Sequence, residues 1–218
     1  MNRLLPIALL LLAAAAATAG QARPSATESA QAVQQKYDRV RDFTADFTHL
    51  YEGGVLKKRS AERGSVQIKK PGRMRWEYAA PERKTFVSDG ARIYSYIPAD
   101  KQAIISAVPK DDEATTAVLF LAGKGNLVRD FRISYADPAA EGTLALRLDP
   151  KQKQNDYDWL VLGVDAKTMQ IRSLTAADEQ GGRSTFQFSN YRENTGLADS
   201  VFTFKIPKGT DVITAGPR

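Results

Sequence analysis

"SVQIKKPGRMRWEY", Ser65 to Tyr78, is the stretch on which the reading of this chain turns. Side chains two apart on a strand share a face. After the Pro71-Gly72 turn, Met74, Trp76 and Tyr78 therefore point one way, and Arg73, Arg75 and Glu77 the other. Before it, Val66, Ile68 and Lys70 share a face, so Lys70 stands where the pattern asks for an apolar residue. The stretch reads as two strands joined by a tight turn, with one apolar face and one charged intruder.

The same period extends on both sides. Phe43, Ala45, Phe47 and Tyr51 alternate with Thr44, Asp46 and Thr48, and polar strand-like sequence follows Gly53-Gly54 up to Lys70. Further strands are predicted at 84–87, 91–97 after the Asp89-Gly90 turn, 102–108, 131–135, 143–148, 157–164, 169–176, 183–191 and 201–206. Two segments depart from this pattern. From Thr27 to Val40, Ala30, Val33, Tyr37 and Val40 recur at the spacing of an amphipathic helix. Asp111-Asp112-Glu113 starts a second helix carrying Ala114, Ala117, Val118, Phe120 and Leu121, apolar nearly all round and hence expected to be buried as a lid or plug. The expectation is a mainly β domain with few helices, built on one large curved antiparallel sheet whose apolar face the helices cover.

The first residues read as an address. Arg3 precedes an apolar run from Leu4 to Ala17, and Ala17-Thr18-Ala19 has the small-x-small form that signal peptidase accepts. The run is too short for a spanning helix of about 20 residues. Residues 1–19 are expected to be a signal peptide and 20–218 a single domain. The chain has 31 Lys+Arg against 25 Asp+Glu, and no cysteine. The latter excludes disulfides, thiolate metal sites, thiol catalysis and acylation of the chain itself through cysteine.

Catalytic patterns are sparse. The one histidine, His49, falls on the face opposite Asp46 and Thr48, which reads as a partly buried strand residue. Asp111 to Glu113 are accounted for by the positive end of a helix dipole. Asp156-x-Asp158 lacks the glycine and distal glutamate of a calcium loop. No phosphate-cradling glycine motif is present, and neither a metal nor a cofactor is expected. Arginines interleaved with aromatics suggest single-strand nucleic acid, but here they lie on opposite faces of one strand, so Arg73 and Arg75 read as a solvent face and no nucleic-acid partner is expected.

"QIKKPGRMRWEY", "FVSDGARIYSYIP" and the closing "FTFKIPKGTDVI" resemble the periplasmic outer-membrane lipoprotein carriers of the LolA family, over essentially the whole chain after the first 19 residues. The resemblance implies an incomplete, half-open antiparallel β-barrel closed by helices over an apolar cavity. It implies a periplasmic, monomeric, non-enzymatic carrier that takes acylated lipoproteins from an inner-membrane ABC exporter and gives them to an outer-membrane receptor. The acyl-chain cavity is then expected from Phe43, Phe47, Val66, Ile68, Met74, Trp76, Tyr78, Val118, Phe120 and Leu121. Lys70 is expected at a release or gating position, where the family commonly has arginine before the proline; lysine keeps the charge and loses the planar fork. Two readings of Lys70 stay open, a charge that opposes full closure over acyl chains and a strand-end lysine reaching water. A carrier of free lipid or another amphiphile, and a lipoprotein-sensing domain, are the alternatives for the chain as a whole.

Overall fold

The structure is a computed structural model describing residues 23–53, 58–108, 121–123, 125–137, 139, 141–154 and 156–215. The expected signal peptide, Asp111 to Glu113, Val118 and Phe120 lie outside the described residues, as does the expected second helix except for its last residue, Leu121.

Helix α1 (Ala26–Asp38) begins at Ser25, whose side chain accepts from the Glu28 N–H while the Glu28 carboxylate returns to the Ser25 N–H, a reciprocal cap. Its buried stripe, Ala30, Val33 and Tyr37, is the periodic stripe of the sequence. The strands follow as β1 (Asp42–Glu52), β2 (Arg59–Lys69), β3 (Arg73–Ala80), β4 (Lys84–Asp89), β5 (Arg92–Ile97) and β6 (Gln102–Ala107). After the one-turn helix α2 (Leu127–Asp130) come β7 (Phe131–Tyr135), β8 (Thr143–Pro150), β9 (Trp159–Asp165), β10 (Ile171–Ala177), β11 (Arg183–Glu193) and β12 (Asp211–Thr214).

All twelve form one sheet in the order β12-β6-β5-β4-β3-β2-β1-β11-β10-β9-β8-β7. Neighbours in the sheet are antiparallel and follow one another in sequence, with two exceptions. β1 pairs with β11, joining the early and late meanders, and β12 lies parallel to β6. The sheet is open, with β12 and β7 at its edges.

One face carries the main core. Phe43, Ala45 and Phe47 of β1, Val66 and Ile68 of β2, Met74 and Trp76 of β3, Leu146 and Leu148 of β8, Leu160 and Leu162 of β9, and Phe186 and Phe188 of β11 are buried in one cluster with Val33 and Tyr37 of α1. The helix is moored over the β7 side, where the Ser29 and Tyr135 hydroxyls hydrogen-bond at 2.7 Å. Gly64 permits the close approach of β2 to its neighbours, because a Cβ there would stand 2.0 Å from the Glu77 carbonyl oxygen and 2.8 Å from the Phe47 ring.

The predicted strand 201–206 is corrected by the structure. Residues Asp199–Phe202 form a 3-10 turn and 203–206 run without ladder pairing across the outer face; the last strand is β12. The crossing is pinned at its start by buried Asp42, whose carboxylate accepts the backbone N–H of Thr195 (2.6 Å) and Gly196 (3.1 Å). Arg73 and Arg75 point outward as predicted but not into open solvent. Arg73 faces Asp199, and Arg75 donates to the Val201 carbonyl at 3.3 Å. Phe202 is buried beyond the main cluster, as is Val87 of β4.

Candidate functional site

The inner face grades from apolar to polar along the strands. At one end, beside the C-terminus of α1, lie Phe43, Ile68 and Met74, each at most 3% exposed. Midway an aromatic cluster gathers: Trp76 meets Phe47 and Phe186 edge-on, both at 5.1 Å between centroids, and Phe47 meets Tyr78 at 4.9 Å. Trp76 Nε1 is buried with no hydrogen-bond partner, an omission that costs on the order of 1–3 kcal/mol.

At the other end the face turns polar. His49 stacks on Phe186 at 4.2 Å and lies between Glu62 and Ser184, with Nδ1 3.2 Å from a Glu62 carboxylate oxygen and Nε2 2.7 Å from the Ser184 hydroxyl. The second Glu62 oxygen accepts from Lys84. Burial, assisted by Lys84, holds His49 below the ordinary histidine value despite Glu62. The neutral ring then donates from Nδ1 to Glu62 and accepts from Ser184 at Nε2. The spacing is that of a hydrolytic relay, but a nucleophile also needs free backbone donors for the developing oxyanion. Ser184 lies within β11, which pairs with β1 on one side and β10 on the other, so the amides around it serve the ladders. Sequence reasoning missed this cluster because Glu62 and Ser184 come from separate strands with no motif between them.

Lys70 sits at the apolar end, at a junction of three segments. Its ammonium donates to the Tyr37 carbonyl at the end of α1 and stands 4.1 Å over the Tyr37 ring, while its own N–H donates to the Arg41 carbonyl at 2.8 Å. The Tyr37 hydroxyl in turn donates to the Leu121 carbonyl, and Gly72 N–H to that of Ala122 at 2.8 Å. Gly123, at φ +82°, leaves room for the lysine stem, since a Cβ there would lie 2.7 Å from Lys70 Cδ. The turn Lys70 to Gly72, the end of α1 and residues 121–123 are thus tied to one another around a cavity of about 300 Å³. Burial lowers the Lys70 pKa, against a smaller opposite pull from Asp38.

Of the residues expected to line an acyl cavity, Phe43, Phe47, Val66, Ile68, Met74, Trp76 and Leu121 are packed together as one buried core, with Tyr78 half-buried against it. Lys70 lies at the rim of this core rather than within it.

Residues 38–205 match the family described as "Outer membrane lipoprotein carrier protein LolA". The chain belongs to the LolA family. An outer-membrane lipoprotein carrier protein from Chromohalobacter salexigens is 31% identical over 194 residues, covering 87% of this chain and 89% of that one. Its counterpart from Azotobacter vinelandii is 29% identical over 205 residues, covering 94% and 97%. Among solved structures, an uncharacterized conserved protein from Thermus thermophilus shares the fold, with a TM-score of 0.53 at 15% identity over 86% of this chain and 99% of that one. This LolA-family chain is a periplasmic lipoprotein carrier and not an enzyme.

Proposed function

We propose that the inner face of this sheet shelters the acyl chains of lipoproteins in transit from an inner-membrane ABC exporter to an outer-membrane receptor. The sheet acts as a half-open barrel, and α1 with residues 121–123 closes it. The observation that carries this reading is the continuity of the inner face: Phe43, Phe47, Val66, Ile68, Met74 and Trp76 form one apolar surface, and Val33, Tyr37 and Leu121 pack against it, tied down by a few polar groups at one corner.

The face packs against Val33 and Tyr37 of α1 and against Leu121. Loading exchanges those contacts for contacts with acyl chains, each buried methylene contributing roughly 0.8 kcal/mol. Lys70 biases the exchange. Its bond to the Tyr37 carbonyl exists only while α1 lies against the β2–β3 turn, so it stabilises the closed, empty form and thereby release. Tyr78, Val118 and Phe120 belong to the same lining in this reading, and the chain acts as a monomer.

Export precedes this work, with cleavage after Ala19. Protein from the periplasmic fraction should have Gly20 at its N-terminus by intact mass, and a full-length, membrane-pelleting species would contradict it. The function is tested by extracting the purified protein with organic solvent and by loading it from exporter-bearing vesicles. Mass spectrometry should find triacylated or diacylated lipoprotein bound one to one. Free phospholipid alone, with no lipoprotein accepted, would make it a lipid carrier instead.

A further inference from the structure

Trp76 holds the one buried side-chain nitrogen or oxygen among the described residues that lacks a hydrogen-bond partner. Its ring is 3% exposed and is surrounded by the rings of Phe47, Phe186 and Phe188. Shape alone asks only for an aromatic here, and a phenyl ring would fill much of the space without stranding a donor. Indole N–H can donate and cannot accept, so what the site lacks is an acceptor.

The position of Trp76 on the face says which acceptor. In register it lies between Val66 of β2 and Phe86 of β4. On its own strand Met74 precedes it toward the apolar end, and Tyr78 follows it toward His49, Glu62 and Lys84. Resting on the acyl-carrier reading above, we infer that Trp76 Nε1 donates to a carbonyl oxygen at the head of a bound acyl chain. Every acyl chain brings one such acceptor, in ester or amide linkage, where hydrocarbon meets polar head. The hydrocarbon then lies toward Phe43, Ile68 and Met74, and the polar head toward His49. Trp76 is thereby a specificity residue, separating acylated from merely alkylated ligands.

The test is displacement of an apolar fluorophore from the purified, full-length mature protein by two lipids of equal chain length, 1,2-dipalmitoylglycerol and its ether analogue 1,2-dihexadecylglycerol, which lacks both carbonyls. The parent should prefer the ester about tenfold, corresponding to one well-made buried hydrogen bond, and Trp76→Phe should bind both alike. The Trp76→Phe melting temperature should not fall in proportion. A second readout needs no variant to fold: the Trp76 indole 15N–1H resonance of the parent should move downfield with the ester and not with the ether. Equal affinity of the parent for ester and ether, or an ester preference that persists in Trp76→Phe, would overturn the assignment and leave the carrier reading standing. Binding of neither lipid, with the fluorophore retained, would overturn the acyl-carrier reading itself.

Discussion

Replacing Lys70 by leucine tests how the proposed carrier lets go of its cargo. The Lys70 ammonium makes a charge-assisted bond to the Tyr37 carbonyl and lies over the Tyr37 ring. Bonds to charged groups contribute about 1.5–3 kcal/mol and a partly exposed cation–π contact about 0.5–1 kcal/mol. Two features of the site pull the net value toward the lower end. The Tyr37 carbonyl also accepts the Val40 N–H at 3.0 Å, so it keeps a partner, and burial already disfavours the ammonium, as its lowered pKa reflects. A net closing contribution of about 1.5 kcal/mol follows, roughly tenfold in the balance between closed and loaded forms. Leucine adds to the shift by extending the apolar face of Val66 and Ile68 into the loaded state.

The Lys70→Leu carrier should therefore accept lipoprotein as well as the parent or better, yet pass it to receptor-bearing outer-membrane vesicles about tenfold less. Lys70→Arg keeps the charge and the stem for which Gly123 leaves room, and should transfer at least as well as the parent. A reconstituted hand-off with all three loaded proteins measures this directly. Equal transfer would refute the latch and leave Lys70 a lysine satisfied at a strand end, with release governed elsewhere.

Three further outcomes are expected. Because burial holds the folded-state pKa of His49 below its ordinary 6.5, the unfolded chain binds the proton more readily. The stabilisation is whole above about pH 6.5 and is lost as pH falls through the folded value, so His49→Gln should flatten that part of the melting temperature against pH curve, and an unchanged curve would show that His49 does not govern it. Gly64→Ala drives a methyl into the Glu77 carbonyl and should cost about 2 kcal/mol or more, lowering the melting temperature by about 4–8 °C; an unchanged value would mean that β2 shifts freely. Leu121→Glu should weaken binding of an apolar fluorophore more than it lowers thermal stability, as expected of a residue in the proposed cover, whereas loss of both in step would make Leu121 fixed core.

Alternation made the inner face legible. Phe43, Phe47, Val66, Ile68, Met74 and Trp76 could be grouped without coordinates because a two-residue period fixes facing, and the hairpin turns fix which strands are neighbours. What a period cannot carry is pairing across distance. β11 lies against β1 although well over a hundred residues separate them, and only that pairing brings Ser184 to His49. The segment 201–206 failed for a related reason. Phe202 and Phe204 alternate as a strand would, but Phe202 is buried against the outer face and Phe204 meets Tyr94 and Tyr96. There Arg75 supplies a side-chain bond to Val201 where a ladder was expected. Lys70 was legible as an anomaly because it broke a pattern; its partners were not, since Tyr37 and Leu121 belong to patterns of their own.

The proposed exchange explains why so few polar groups would govern direction. In that exchange, contacts of the apolar face with its cover give way to contacts with acyl chains, so the large hydrophobic terms of the two forms oppose one another. What remains are contributions of one or two kcal/mol that exist in only one of the two. The Lys70 and Tyr37 bonds tie α1 to the β2–β3 turn and to Leu121, and in the proposed exchange they favour the empty form. The buried Trp76 N–H has no hydrogen-bond partner, and in the proposed loaded form it would meet an acyl carbonyl, favouring that form. The two sit at different places on the same face and have opposite signs. Trp76→Phe should therefore offset part of the release defect of Lys70→Leu when the two are combined, and a double variant that releases no better than Lys70→Leu alone would break this account of the balance.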